Sequence, residues 1–95
     1  MNEAAAIPGD VLPRLPRGVR LHYDDVRAQW TLLAPERILK PDGIALEILK
    51  RCDGKTSLDA IIDDLTQSFG AAREEVAHDV HEFLKGLATK RIVDL

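Results

Sequence analysis

The sequence has little of several features that mark particular protein classes. It contains one cysteine, Cys52, so an internal disulfide cannot form, and this favours a reducing, intracellular compartment. No stretch approaches 18 apolar residues, and residues 1–8 have neither the basic region nor the apolar run of a signal peptide. We therefore expect a cytoplasmic protein that does not bind membranes.

An excess of positive charge is also missing. Thirteen Lys and Arg residues against sixteen Asp and Glu residues give a net charge of -3, which argues against binding nucleic acids through their phosphates. The segment from Thr56 to Leu84 is the most acidic, with seven acidic residues and one basic residue. What is present, 45% hydrophobic and 31% charged residues over 95 positions, is typical of one globular domain.

The first 16 residues differ from the rest of the chain. They include Pro8, Pro13 and Pro16 and show neither a helical nor an alternating pattern, which predicts an extended, flexible arm. Residues 17–95 then form a single domain. The arm also carries apolar residues, which leaves open a second interpretation, a homodimer in which each arm covers the partner protomer.

Alternating apolar residues predict a three-stranded antiparallel sheet in the first half of the domain. Val19, Leu21 and Tyr23 alternate with polar residues, and after a turn at Asp24-Asp25 the alternation resumes around the only tryptophan, Trp30. Pro35 cannot donate a hydrogen bond to a neighbouring strand and should end the second strand. A short third strand is predicted over 36–40, before Pro41.

Three helical patterns follow the strands. The first begins near Asp42-Gly43 and is closed by Gly54, the second begins after the N-cap Ser57 and ends at Gly70, and the third runs from about Ala72 to Thr89. Each has apolar residues three or four positions apart on one face. The predicted fold class is therefore α+β, winged-helix-like, with a three-stranded antiparallel sheet followed by a three-helix bundle.

This order of elements makes a winged-helix DNA-binding regulator the alternative function. The third helix, however, carries Glu74, Glu75, Asp79 and Glu82 and would be repelled by phosphates. We therefore expect no nucleic-acid partner.

Residues with catalytic or metal-binding chemistry are few and isolated. His78 and His81 share one side of the third helix, but two imidazoles without further ligands at metal-binding spacing are typical of surface residues. Cys52 falls on the apolar face of the first helix, where cysteine behaves as a small hydrophobic residue. We expect no catalytic residues, no metal and no cofactor, and hence a protein that is not an enzyme.

A binding module is the function class that remains. The third strand has a neighbour on one side only, and such a free edge accepts a strand from a partner. If the third helix lies beside this edge, the two elements form a groove for an extended peptide. The predicted peptide-binding residues are Glu36, Arg37, Ile38, Leu39 and Lys40 of the strand and Val76, Val80, Phe83 and Leu87 of the helix.

Two motifs, one around the turn between the second and third strands and one after the first helix, resemble those of a known family. The run Trp30-Thr31-Leu32-Leu33-Ala34-Pro35-Glu36-Arg37, together with Cys52-Asp53-Gly54, resembles the PqqD family of pyrroloquinoline quinone biosynthesis, and the resemblance spans residues 17–93.

The resemblance implies a function and its partners. It implies a non-catalytic chaperone that binds the ribosomally made precursor peptide PqqA, as a strand added beside the third helix. It also implies that the chaperone presents PqqA to the radical S-adenosylmethionine enzyme PqqE. The iron-sulfur and S-adenosylmethionine chemistry would belong to PqqE.

Overall fold

A computed structural model of the chain describes residues 7–95. The described chain forms three strands and then three helices, so the predicted α+β order of a three-stranded antiparallel sheet followed by three helices is confirmed. The elements are β1 (Arg20–Asp24), β2 (Gln29–Ala34), β3 (Arg37–Leu39), α1 (Gly43–Lys50), α2 (Leu58–Phe69) and α3 (Arg73–Thr89).

The sheet has the order β1-β2-β3, with β2 in the centre. Leu32 of β2 lies opposite Leu21 of β1 and Leu39 of β3, and these three side chains share the face that turns towards the helices. Leu32 is completely buried, as expected for the central position on that face. Trp30 lies on the same face nearer the first turn, where it is only half-buried, with its ring centroid 5.4 Å from that of Tyr23.

The hydrophobic core lies between the sheet and the three helices. Each helix contributes residues from the apolar face that its periodicity predicted, because such a face is stabilised only when it is removed from water. The completely buried members from the helices are Ile48 of α1, Leu58, Ile61 and Leu65 of α2, and Val80 and Leu84 of α3.

The helix ends follow the local sequence for α2 but only partly for α1. Ser57 accepts a hydrogen bond from the Ala60 N–H at 3.1 Å, and Gly70 closes α2 in the left-handed conformation, as predicted. Asp42 occupies the N-cap position of α1, but its side chain forms no capping hydrogen bond. The prediction that Gly54 closes α1 is wrong, because α1 ends at Lys50 and Gly54 lies in the loop before α2.

The segment from residue 7 to residue 16 is extended but is not detached from the domain. Backbone hydrogen bonds join it to α2, to the loop before α2 and to the carboxyl-terminal segment: Leu58 N–H donates to Val11 C=O, Gly54 N–H donates to Pro13 C=O, and Arg14 pairs with Asp94. Pro13 is completely buried. The prediction that residues 1–16 form a flexible arm is therefore wrong for residues 7–16. Amino-acid composition does not show whether an extended segment packs against the rest of the domain. Residues 1–6 lie outside the described residues.

None of the three helices within residues 7–95 is long and apolar enough to cross a membrane.

Candidate functional site

The β3 strand is an edge of the sheet, as the sequence predicted, but it is shorter than expected. Within residues 7–95 it pairs with β2 alone, through Leu32↔Leu39, Leu33↔Ile38 and Ala34↔Arg37. Glu36 does not belong to the strand, because Pro35 and Glu36 form a two-residue turn in which Glu36 has a φ of 63°. Proline followed by a residue with positive φ is the pattern of a type II turn, so the predicted strand loses its first residue to the turn.

The register gives neighbouring β3 residues opposite orientations. Leu39 pairs with the core residue Leu32 and therefore faces the helices, and Arg37, two positions away, shares that face. Ile38 points to the opposite face of the sheet, where it borders a hollow with His22 and Thr31, and its side chain is 64% exposed. Ile38 therefore has its side chain outside the space between β3 and α3.

An open apolar pocket of about 220 Å³ lies between β3, the start of α1 and the second half of α3. Four of the predicted site residues meet there, namely Leu39, Lys40, Phe83 and Leu87. The remaining lining residues are Leu32, Pro41, Ala45 and Leu49. Phe83 is half-buried, so part of its ring is available to a ligand. The strand and the helix thus come together at their predicted faces, over one stretch of α3.

The other two predicted helix residues do not line this pocket. Val76 is 3% exposed and Val80 is completely buried, and both pack in the core. The apolar face of α3 therefore has two uses along its length. Val76, Val80 and Leu84 pack in the core, and Phe83 and the largely buried Leu87 line the pocket at the edge of the sheet.

A second, more polar pocket of about 210 Å³ adjoins the β2–β3 turn. Arg37 lines it from the strand, and Lys90, Arg91 and Ile92 line it from the segment that follows α3. Ala34 and Pro35 complete the wall. We call these two pockets together, the apolar one at Leu39 and the basic one at Arg37, the β3–α3 groove.

Sequence reasoning missed several residues of the groove. Ala45 and Leu49 belong to the apolar face that the helical period predicts for α1, and nothing in that period distinguishes a core position from one at the rim of a pocket. Lys90 and Arg91 lie just beyond Thr89, where the predicted third helix ends, and no pattern in the sequence gives their position. Their position beside Arg37 depends on the turn after α3, in which Arg91 has a φ of 60°.

The side chains with reactive chemistry lie outside the groove. Cys52 is 5% exposed and its thiol donates to the Ile48 carbonyl oxygen at 3.2 Å. Burial, helped by the nearby negative charge of Asp53, raises the pKa of the Cys52 thiol to about 12, so the thiol is protonated at neutral pH. Within residues 7–95, no three His, Cys, Asp or Glu side chains are close enough together to hold a metal ion.

Comparison with known proteins places this arrangement in a family. Residues 29–93, which include β2, β3 and all three helices, match the family described as coenzyme PQQ synthesis protein D (PqqD). The chain belongs to the PqqD family. A PqqD relative from Rhodopseudomonas palustris strain BisB5, named PqqA binding protein, is 50% identical over 78 residues, which cover 82% of this chain and 76% of the relative.

Two solved PqqD structures share the fold. The solution structure of the PqqD part of Methylobacterium extorquens PqqCD is 41% identical, with a TM-score of 0.77 over 98% of this chain and 99% of that one. It is described as a functional, stand-alone recognition element for ribosomally synthesized and post-translationally modified peptides. The crystal structure of PqqD from Xanthomonas campestris is 43% identical, with a TM-score of 0.59 over 95% of this chain and 100% of that one.

Proposed function

We propose that this protein is a non-catalytic peptide chaperone that binds the precursor peptide PqqA by strand addition to β3. We also propose that it presents PqqA to the radical S-adenosylmethionine enzyme PqqE in pyrroloquinoline quinone biosynthesis. The observation that carries the proposal is the free edge of β3 beside an apolar pocket. The name of the Rhodopseudomonas palustris relative, PqqA binding protein, supports PqqA as the peptide.

Backbone groups provide the first half of the binding surface. Along an antiparallel strand, one residue directs both its N–H and its C=O towards the partner strand, and the next residue directs both of these groups away from it. A two-residue turn closes on a hydrogen-bonded pair, here Ala34 and Arg37, so the next residue, Ile38, directs both groups to the free edge. Ile38 is therefore the position at which an added strand would form its central pair of hydrogen bonds.

Side chains provide the second half. An added strand directs every second side chain to the same face as Leu39, which is the face of the apolar pocket. The half-buried ring of Phe83 and the side chain of Leu39 would contact an apolar residue of the peptide. The backbone bonds then supply affinity that depends little on sequence, and the pocket selects for one apolar position.

A binding role rather than catalysis is supported by the state of the reactive groups. The protonated, buried thiol of Cys52 is unsuited to nucleophilic attack. The groove itself is lined by apolar and basic side chains. We propose that the chemistry on PqqA belongs to PqqE, and that this protein works beside it in the cytoplasm.

Replacing Ile38 by proline tests strand addition directly. Proline removes the outward N–H of residue 38 and keeps the inward-facing pairs of β2 and β3, so the fold should survive, as it does for prolines on other edge strands. Losing one hydrogen bond and placing the ring in the path of the peptide should weaken PqqA binding at least about tenfold. Calorimetry with PqqA, alone and with PqqE present, measures both contacts.

Ile38→Val is the matched control, because it keeps the N–H and nearly the same side chain. Its affinity for PqqA should stay within about twofold of the native value. Amide chemical shifts of labelled protein should move at Ile38, Leu39, Lys40 and Phe83 when PqqA is added. Shift changes confined to α1, or equal affinities of the proline and valine variants, would exclude strand addition to β3.

The same edge bears on the oligomeric state. A homodimer formed through β3 would occupy the groove, so the peptide would dissociate it. Light scattering of the protein with and without PqqA distinguishes this dimer from a monomer that binds the peptide directly.

A further inference from the structure

Basic side chains that form no salt bridge within residues 7–95 collect along the β3–α3 groove. Among the described residues, six of the thirteen Lys and Arg side chains form salt bridges, and all six lie outside the groove. Among the remaining seven, four line the groove: Arg37, Lys40, Lys90 and Arg91. In the described part of the chain no acidic residue lines either pocket of the groove.

Three of these four basic residues lie at one end of the groove. Arg37, Lys90 and Arg91 surround the pocket at the β2–β3 turn, and the pocket at Leu39 and Phe83 is lined by apolar residues apart from Lys40. The protein as a whole has a net charge of -3, so three cations around one pocket, none of them in a salt bridge with any of residues 7–95, depart from its overall charge. Guanidinium groups bind carboxylates well, because their donors match the two carboxylate oxygens.

We propose that the peptide segment bound in the groove carries an acidic side chain two positions away from a bulky apolar side chain. The acidic side chain lies in the basic pocket at Arg37, and the apolar one lies in the pocket at Leu39. The spacing follows from the strand, because Arg37 and Leu39 are two residues apart on one face and the side chains of an added strand repeat with the same period. This inference rests on the proposed function and specifies which peptide sequence the groove selects.

The first test removes the charge of the basic pocket. In the variant Arg37→Gln/Lys90→Gln/Arg91→Gln, PqqA binding should weaken at least about tenfold, and the affinity should depend less on salt. The control is Arg17→Gln/Arg20→Gln/Lys55→Gln, which changes the net charge equally at three basic residues that line neither pocket and form no salt bridge in residues 7–95. The control should bind within about twofold of the native protein.

The second test locates the carboxylate on the peptide. Each acidic residue of PqqA is replaced singly by its amide, and each peptide is measured against the native protein and the groove variant. One replacement should weaken binding to the native protein but cause no further loss with the Arg37→Gln/Lys90→Gln/Arg91→Gln variant. This non-additivity is expected when the peptide carboxylate contacts the basic pocket directly. Replacing the apolar peptide residue two positions from that carboxylate by alanine should likewise weaken binding to the native protein and cause no further loss with the protein variant Phe83→Ala.

The outcomes separate this inference from the proposed function. Equal affinities of the two triple variants, or no peptide carboxylate that couples to the groove variant, would overturn the inference while Ile38→Pro still weakens binding. Coupling to the carboxyl terminus of PqqA alone, detected with a carboxamide peptide, would also overturn it. If Ile38→Pro has no effect, strand addition itself fails.

Discussion

Gly54 connects the loop between α1 and α2 to the amino-terminal segment. Its N–H donates to the Pro13 carbonyl oxygen at 2.9 Å, and its φ of 76° lies in the left-handed region. A Cβ atom at this position would lie 3.2 Å from the Cβ atom of Arg14, which is tighter than an ordinary contact. Both the backbone conformation and the approach of Arg14 therefore require glycine here.

Replacing Gly54 by alanine should lower the free energy of unfolding by about 1–2 kcal/mol, because an alanine is disfavoured in the left-handed region and crowds Arg14. Urea unfolding followed by circular dichroism measures the change. Gly86→Ala is the control, since Gly86 lies within α3 and an added Cβ meets nothing within 4 Å. It should stabilise the protein by up to about 1 kcal/mol. Equal effects of the two changes would contradict this account of Gly54.

Two carboxylates hold the turns of the domain. The Arg27 N–H, with further hydrogen bonds from the Arg27 side chain and the Val26 N–H, holds the pKa of Asp24 below its usual value. The Lys55 N–H, with the side chain and N–H of Thr56, lowers the pKa of Asp53 in the same way. Each turn is therefore stabilised by the ionised form of its carboxylate.

The lowered pKa values predict a loss of stability in acid. A carboxylate whose pKa is lower in the folded protein stabilises it fully above the unfolded pKa, near 4, and this contribution disappears as the pH falls through the folded pKa. The difference in unfolding free energy between pH 6 and pH 3 should be smaller in Asp24→Asn/Asp53→Asn, which keeps the side-chain oxygens as acceptors. Urea unfolding at both pH values measures this, and an unchanged difference would show that other groups cause the acid sensitivity.

At the scale of elements, α3 divides one apolar face between the core and the groove. Val80 is completely buried, and Phe83, less than one turn further along, is half-buried at the rim of the apolar pocket. The helix period predicted both residues as members of one face, which is what the structure has. Only the position of β3 and α1 decides that the face is open at Phe83 and closed at Val80.

This division predicts opposite effects of two alanine substitutions. Val80→Ala should lower the free energy of unfolding by about 2 kcal/mol, because it removes buried methyl groups, and should leave the affinity of the folded protein for PqqA nearly unchanged. Phe83→Ala should cost less stability and weaken PqqA binding about tenfold, since an aromatic contact in the pocket is lost. Thermal unfolding and calorimetry separate the two effects. Weaker binding by Val80→Ala than by Phe83→Ala would contradict the placement of the site.

At the scale of the whole molecule, the two ends of the described chain are joined. Arg14 and Asp94 exchange two backbone hydrogen bonds, of 3.0 and 2.8 Å, and their side chains form a salt bridge at 3.2 Å. The salt bridge is exposed on both sides and contributes little by itself. The backbone pair and the burial of Pro13 are the larger contributions, so residues 9–14 help to hold α2 and the carboxyl-terminal segment together.

Deletion of residues 1–16 should therefore destabilise the domain. We expect a loss of at least about 2 kcal/mol of unfolding free energy, from the buried surface of Pro13 and the lost backbone hydrogen bonds. Deletion of residues 1–6 removes none of these contacts and is the comparison. Urea unfolding of both truncated proteins decides between a docked segment and the free arm that the composition predicted, for which the two deletions would be equivalent.

The sequence by itself determined the elements, their order and the family. Alternation around Leu32 and the helical periods of α2 and α3 are local patterns, and Ser57 and Gly70 end α2 through groups that are neighbours in the chain. Such features need no knowledge of distant contacts. The sequence also predicted that β3 lies at an edge of the sheet, and the strand order β1-β2-β3 within residues 7–95 agrees with this prediction.

Only the tertiary structure decided which residues form the groove and which form the core. Val76, Val80, Phe83 and Leu87 are equivalent in the helical period, and packing against β3 and α1 separates them. The positions of Lys90 and Arg91 beside Arg37, and of Pro13 beneath Gly54, likewise join residues that are far apart in the chain. Periodicity and composition report what a residue prefers to contact, and the folded chain alone determines which partner is within reach.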